Sequence, residues 1–154
     1  KTVERDVTVH PSSAMRELLP RANFLILTLP LTPETRGLIS AEELALLPDQ
    51  AVLVNVSRGP IVDQEALYTA LEEGKLSGAG LDVWYHYPRE EETRDNTSPA
   101  DHPFHELENV VMSPHRGGST QATQRLRVTH LATLLNKASK GEKMPNRVDL
   151  EKGY

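Results

Sequence analysis

The stretch A-V-L-V-N-V-S-R-G-P, residues 51–60, decides how this chain folds. It opens as a short, valine-rich apolar run without the alternation of a half-exposed strand. Such a run suits a strand buried on both faces, as in a parallel sheet. It then stops abruptly on Ser57, Arg58 and Gly59. An arginine at the tip of a buried strand needs a partner, and no acid stands beside it in the sequence.

Three further runs have the same character: N-F-L-I-L-T-L-P (23–30), S-G-A-G-L-D-V-W (77–84) and N-V-V-M-S-P (109–114). Helical stretches lie between and around them. Ser40 stands three residues before Glu43, the spacing of a capping box, and opens a short helix that ends near Pro48. Asp63 caps a second helix, in which Ala66, Leu67, Ala70 and Leu71 share a face and Gly74 makes the stop. A long helix is expected from Ser119 to about Ser139, with Leu126, Leu131, Leu134 and Leu135 as its buried stripe. An earlier helix is expected around 12–20. The alternation predicts an α/β fold with a doubly wound parallel sheet. Tyr85 to Glu108 breaks this rhythm: it is polar and contains Pro88, Pro99 and Pro103. A connection that long is usually functional or mobile.

Bulk properties narrow the function. With 154 residues, 38% of them hydrophobic, the chain can bury one core. A net charge of −5 argues against a nucleic-acid partner, which a basic face would serve. Arg125, Arg127, Lys137, Lys140 and Lys143 gather at helical spacing and read as a solvated face. There is no cysteine, so disulfides and thiol chemistry are excluded. No run approaches the roughly 18 apolar residues of a membrane span, and no signal peptide is visible. The expectation is a soluble, cytoplasmic protein without a membrane partner. The chain begins at Lys1, which suggests numbering that starts inside something larger or after a processed tag.

Ligands of open α/β sheets bind beyond the carboxyl ends of the strands. Ser57-Arg58-Gly59 follows the second run, Asp82 lies near the end of the third, and Pro114-His115-Arg116-Gly117-Gly118 follows the fourth. A cation, a carboxylate and an imidazole therefore converge on one edge, with Gly59, Gly117 and Gly118 allowing close backbone approach. Arginine binds a carboxylate bidentately, and histidine can give or take a proton at a carbonyl or hydroxyl. Asp82 could accept from a carboxamide. A 2-oxo or 2-hydroxy acid beside a nicotinamide would use all three. His86, His102 and His105 are the only metal candidates, and the proline inside D-H-P-F-H makes them loop composition, so no metal is expected.

Four motifs then carry a resemblance: L-P-L-T-P-E-T (29–35), N-V-S-R-G-P-I-V-D (55–63), A-L-x-x-A-L-x-x-G-x-L-x-G-A-G-L-D-V (66–83) and S-P-H-x-G-G-S-T (113–120). Together they resemble the D-isomer-specific 2-hydroxyacid dehydrogenases, from about residue 7 to the end, in family order and spacing. The resemblance implies that Arg58 anchors the substrate carboxylate and that His115 is the acid/base. It implies that Asp82 holds the nicotinamide carboxamide. Pro30, Val56, Ser57, Arg58, Gly117 and Gly118 would line an NAD cofactor, with NADP equally open. The tail at 145–154 resembles a return towards a substrate domain, leaving 1–144 as a partial cofactor domain.

There are two departures. The family's glutamate before a proline, five residues after the aspartate, is here Tyr87. A carboxylate there favours the imidazolium, whereas a phenol can orient the ring without supplying charge. Reduction is therefore expected to fall off at lower pH than in a glutamate-bearing relative. Glu90, Glu91 and Glu92 follow at spacings that single out none of them. The second departure is the lack of any G-x-G-x-x-G loop. The chain reads as the second half of a dinucleotide-binding domain, a fragment of an NAD(P)-dependent, hydride-transferring parent oxidoreductase, and is expected to be inactive alone. The strand at 24–29 becomes an edge, and a paired or swapped homo-oligomer, such as a dimer, is expected. A co-repressor-like dinucleotide sensor on the same fold is the other reading.

Overall fold

The computed structural model describes residues 7–93 and 95–150. A short helix, α1 (Met15–Leu18), is flanked by 3₁₀ turns at Ser12–Ala14 and Leu19–Arg21, and accounts for the helix expected near 12–20. The four apolar runs form β1 (Phe24–Leu27), β2 (Ala51–Asn55), β3 (Leu76–Leu81) and β4 (Val110–Met112). They pair in sequence order, and every pair is parallel. Leu27 lies opposite Asn55, Asn55 opposite Leu81, and Leu81 opposite Met112. The carboxyl ends of all four strands therefore share one edge.

Parallel neighbours need crossovers. Two of them carry helices, α2 (Ala41–Leu46) and α3 (Gln64–Glu72), and the third is the long segment after β3. The capping box of α2 is present: Ser40 Oγ accepts from the Glu42 N–H, and Glu43 accepts from the Ser40 N–H. Arg16 also donates to Glu43 at 2.8 Å, tying α1 to α2. The Ser40 hydroxyl hydrogen bond outweighs burial, and with the Arg16 bond it holds the buried Glu43 carboxyl down at about 2. Asp63 caps α3 through the Ala66 N–H at 2.9 Å, and Gly74, at φ +71°, ends that turn.

Leu27, Leu53, Ala79 and Leu81 of the sheet pack with Leu44 of α2, with Leu47 at its end, and with Leu67 and Leu71 of α3. Phe104 and Ala100 join them from the segment after β3. That segment is closed on itself, because the Tyr85 and His86 N–H groups both donate to the Pro99 carbonyl at 3.0 Å. Its length serves to bring a buried aromatic ring back over the core.

The opposite face of the sheet differs from the expectation of strands buried on both sides. Phe24, Ile26 and Val111 point there and are 70%, 60% and 74% exposed, with Val52 and Val54 half-buried between them. Among the described residues no helix lies over this face. The final helix, α4 (Gln121–Ser139), follows β4. Its expected buried stripe is not buried: Leu126, Leu131 and Leu135 are exposed and Leu134 is half-buried. Apolar spacing marks a face suited to burial, but it does not supply the surface that covers it.

Candidate active site

The edge where the strands end gathers the polar residues singled out above. At the end of β2 the buried Asn55 shapes the turn. Its Oδ1 accepts from the Ser57 N–H at 3.1 Å and the Ser57 hydroxyl at 2.7 Å, while its Nδ2 donates to the Arg58 carbonyl at 2.9 Å. Its side-chain oxygen and one amide N–H serve a single turn, which lifts Arg58 out of the sheet. Gly59 follows, packed so closely that a Cβ would meet the Trp84 carbonyl oxygen at 2.3 Å. Arg58 is exposed; its guanidinium donates to the Ser57 carbonyl and, among the described residues, pairs with no carboxylate.

At the end of β3, Asp82 is buried and faces the turn after β4. Its two oxygens accept from the Arg116 N–H at 2.7 Å and the Gly117 N–H at 2.8 Å. Burial raises this carboxyl, but hydrogen bonds from Ser113, Gly117 and Arg116 outweigh that and leave it below the ordinary range. A Cβ at Gly117 would lie 2.9 Å from an Asp82 oxygen, so a larger residue there would have to displace the clamping carboxylate. Asp82 thus clamps the loop that carries His115. That loop holds His115 at φ +56°, a left-handed conformation uncommon for a residue with a side chain.

His115 in turn meets Tyr87, whose hydroxyl lies 3.2 Å from Nδ1 and accepts from the Trp84 N–H at 3.0 Å. The rings are tilted, with centroids 5.8 Å apart. Tyr87 occupies the place where the resemblance implies a glutamate, and the hydroxyl is the contact it makes with the imidazole.

Arg58 and His115 line one cavity of about 400 Å³, together with Leu31, Pro60, Tyr85 and Tyr87. Burial, and secondarily nearby Asp63, raises the Tyr85 phenol and keeps it neutral. A second cleft of about 910 Å³ lies on the other side of Trp84, Tyr87 and His115 and reaches Gly118 and Arg127. The residues expected to line a cofactor are less united. Pro30 and Val56 are exposed and Ser57 is buried, and none of them lines either cavity. Asn55, which sequence reading passed over as part of the strand, proves central; its signal was a lone amide ending an apolar run. His86 and His102, raised as metal candidates, pair with separate carboxylates, Asp101 at 3.0 Å and Glu65 at 2.9 Å.

A Rossmann-like parallel sheet with its polar residues gathered where the strands end defines the class of dinucleotide-type cofactor domains. The chain belongs to the D-isomer specific 2-hydroxyacid dehydrogenase family, whose NAD binding domain matches residues 1–117. It is 39% identical over 150 residues to D-3-phosphoglycerate dehydrogenase of Methanocaldococcus jannaschii, covering 97% of this chain and 27% of that protein. Glyoxylate reductase of Korarchaeum cryptofilum is 40% identical over 89% of this chain and 39% of its own length. The chain thus spans less than half of these relatives. Among solved structures, a D-isomer specific 2-hydroxyacid dehydrogenase from Xanthobacter autotrophicus Py2, in complex with NADPH and MES, superposes with a TM-score of 0.78 at 34% identity. That match covers 95% of this chain and 56% of the other. The NADPH-dependent glyoxylate/hydroxypyruvate reductase of Sinorhizobium meliloti gives 0.80 at 26% identity, over 98% and 48%.

Proposed function

We propose that this chain carries the nicotinamide-side and acid/base half of an NAD(P)-dependent oxidoreductase acting on a small 2-oxo or 2-hydroxy acid. The observation that supports it most is the shared cavity of Arg58 and His115. Among the described residues the arginine there has no carboxylate, and a ligand carboxylate would fill that role through a bidentate pair. The adjacent imidazole can then give a proton to, or take one from, the oxygen on the neighbouring carbon. A dinucleotide sensor without catalysis would need neither group, so the oxidoreductase reading is favoured.

The residues at the strand ends suit the nicotinamide end of such a cofactor. Val56, 45% exposed, offers an apolar surface to a ring, and Gly118 leaves the backbone approachable. Asp82 accepts one backbone N–H at each oxygen and a hydrogen bond from the Ser113 side chain, and it keeps acceptor capacity for a carboxamide N–H. When bound, the cofactor supplies the hydride; the chain's own residues hold the acid, move the proton and fix the carbon between them. A second copy would pair instead on the exposed sheet face of Phe24, Ile26 and Val111 beside the β1 edge, as the homo-oligomer proposed for this chain.

Titration with NADH and NADPH, followed by the fluorescence of Trp84, tests the cofactor assignment directly. Trp84 borders both cavities, so saturable quenching is expected. A flat response with both would defeat the assignment for this chain. With cofactor present, glyoxylate should protect further, and Arg58→Gln should weaken that effect about 10- to 100-fold, the scale of a lost charge-assisted pair.

A further inference from the structure

Tyr87 is the one feature of the site that the family motifs do not explain, and its hydroxyl sits between two nitrogens. The Trp84 N–H lies 3.0 Å away and can only donate, so it occupies one lone pair of the phenol oxygen. The single phenolic hydrogen is then free, and His115 Nδ1 lies 3.2 Å from the oxygen that bears it. A phenol donates better than it accepts, because its ring draws on the oxygen lone pairs, and an imidazole nitrogen is a strong acceptor. We infer that Tyr87 is a positioning residue, and that the chain Trp84 N–H to Tyr87 O–H to Nδ1 fixes neutral His115 as the tautomer with its hydrogen on Nε2.

The consequence concerns which substrate the neutral site accepts, and it rests on the acid/base reading above. With Nδ1 engaged, Nε2 is the polar atom left for a ligand, and it presents an N–H. An N–H supports a carbonyl oxygen but cannot take a proton from a hydroxyl. The neutral site therefore favours the 2-oxo acid over the 2-hydroxy acid. A carboxylate at position 87 would do the opposite: an acceptor only, it would draw the hydrogen to Nδ1 and leave a lone pair at Nε2. When the ring gains a second proton, the second lone pair of the phenol can receive it and the hydroxyl hydrogen turns away. Tyr87 can thus hold both states without adding charge.

The tautomer can be read without cofactor or activity. In the full chain labelled with ¹⁵N-histidine, at about pH 8.5, above the ordinary imidazole range, long-range ¹H–¹⁵N spectra report which ring nitrogen carries hydrogen. His115→Gln assigns the resonances. The expected pattern is an acceptor-type Nδ1 and a protonated Nε2. Tyr87→Phe, which keeps the ring but not the hydroxyl, should move Nδ1 towards the tautomer-averaged position. Tyr87→Glu should transfer the hydrogen to Nδ1. A wild-type spectrum with the hydrogen on Nδ1, or one unchanged in Tyr87→Phe, overturns the assignment even if Tyr87→Glu fails to fold. Because no ligand is involved, failure here and failure of the NADH titration are separate results.

Discussion

An alanine methyl at position 59 would have to share space with the backbone of Trp84, whose carbonyl oxygen would lie 2.3 Å away. Backbone cannot swing aside as a side chain can, so Gly59→Ala should cost about 1–3 kcal/mol, read as a lower urea midpoint with an unchanged slope. Gly80→Ala is the control: its nearest neighbours are the Val54 methyls at 3.7 Å, an ordinary contact, and its midpoint should not fall. Asn55 belongs to the same scale. Replacing it with alanine strands the Ser57 N–H and hydroxyl in the interior, a loss of about 1–3 kcal/mol that thermal unfolding would register. Arg58, Asp82 and His115 were legible in the sequence because each follows an apolar run, and strand ends are where α/β sheets bind. Asn55 was not, because a single amide inside such a run looks like a tolerated polar residue until its three partners are seen. The clamp of Asp82 on the Arg116 and Gly117 N–H groups was equally hidden, since it joins positions more than thirty residues apart.

Signals confined to a few residues translated well into elements. The Ser40–Glu43 and Asp63 caps formed as spaced, because a cap closes over one helical turn and needs nothing distant. Glu43 adds a pH dependence with a definite sign. Its carboxyl is depressed in the fold, from an ordinary value of 4.5 to about 2. Its contribution is therefore complete above the unfolded value and is lost as pH falls through the folded one. Acid unfolding should thus steepen between about pH 4.5 and 2, and in Glu43→Gln that part of the curve should flatten while neutral-pH stability drops. An unflattened curve would assign the acid sensitivity to other carboxylates. The leucine stripe of α4 shows where local signals stop, for burial depends on a second surface that no spacing encodes. Because Leu131 is 55% exposed, Leu131→Lys should shift the thermal midpoint by no more than a surface change does, within about 0.5 kcal/mol. A large destabilisation would mean that α4 packs on the body after all.

At the scale of the molecule the sheet is asymmetric. Among the described residues, one face holds the core under α2 and α3, and the other exposes Phe24, Ile26 and Val111 beside an edge strand, β1, that pairs on one side only. Strand order and direction were readable from the four runs. The bareness of one face was not, because Val52 and Val54 look identical in sequence whether a helix covers them or not. An apolar face joined to an open edge favours association, since both the buried area and the unpaired strand groups gain by it. The native chain should therefore show concentration-dependent sedimentation, with a second copy as the partner. Ile26→Lys should leave a monomer whose unfolding midpoint is unchanged, because the isoleucine is already 60% exposed and supports little of the core. If the wild-type chain sediments as a monomer across concentrations, the homo-oligomer falls. If Ile26→Lys lowers the midpoint as well as the association, the face is contributing to the fold itself, and the two effects would have to be separated with Phe24→Lys at the strand's other exposed position.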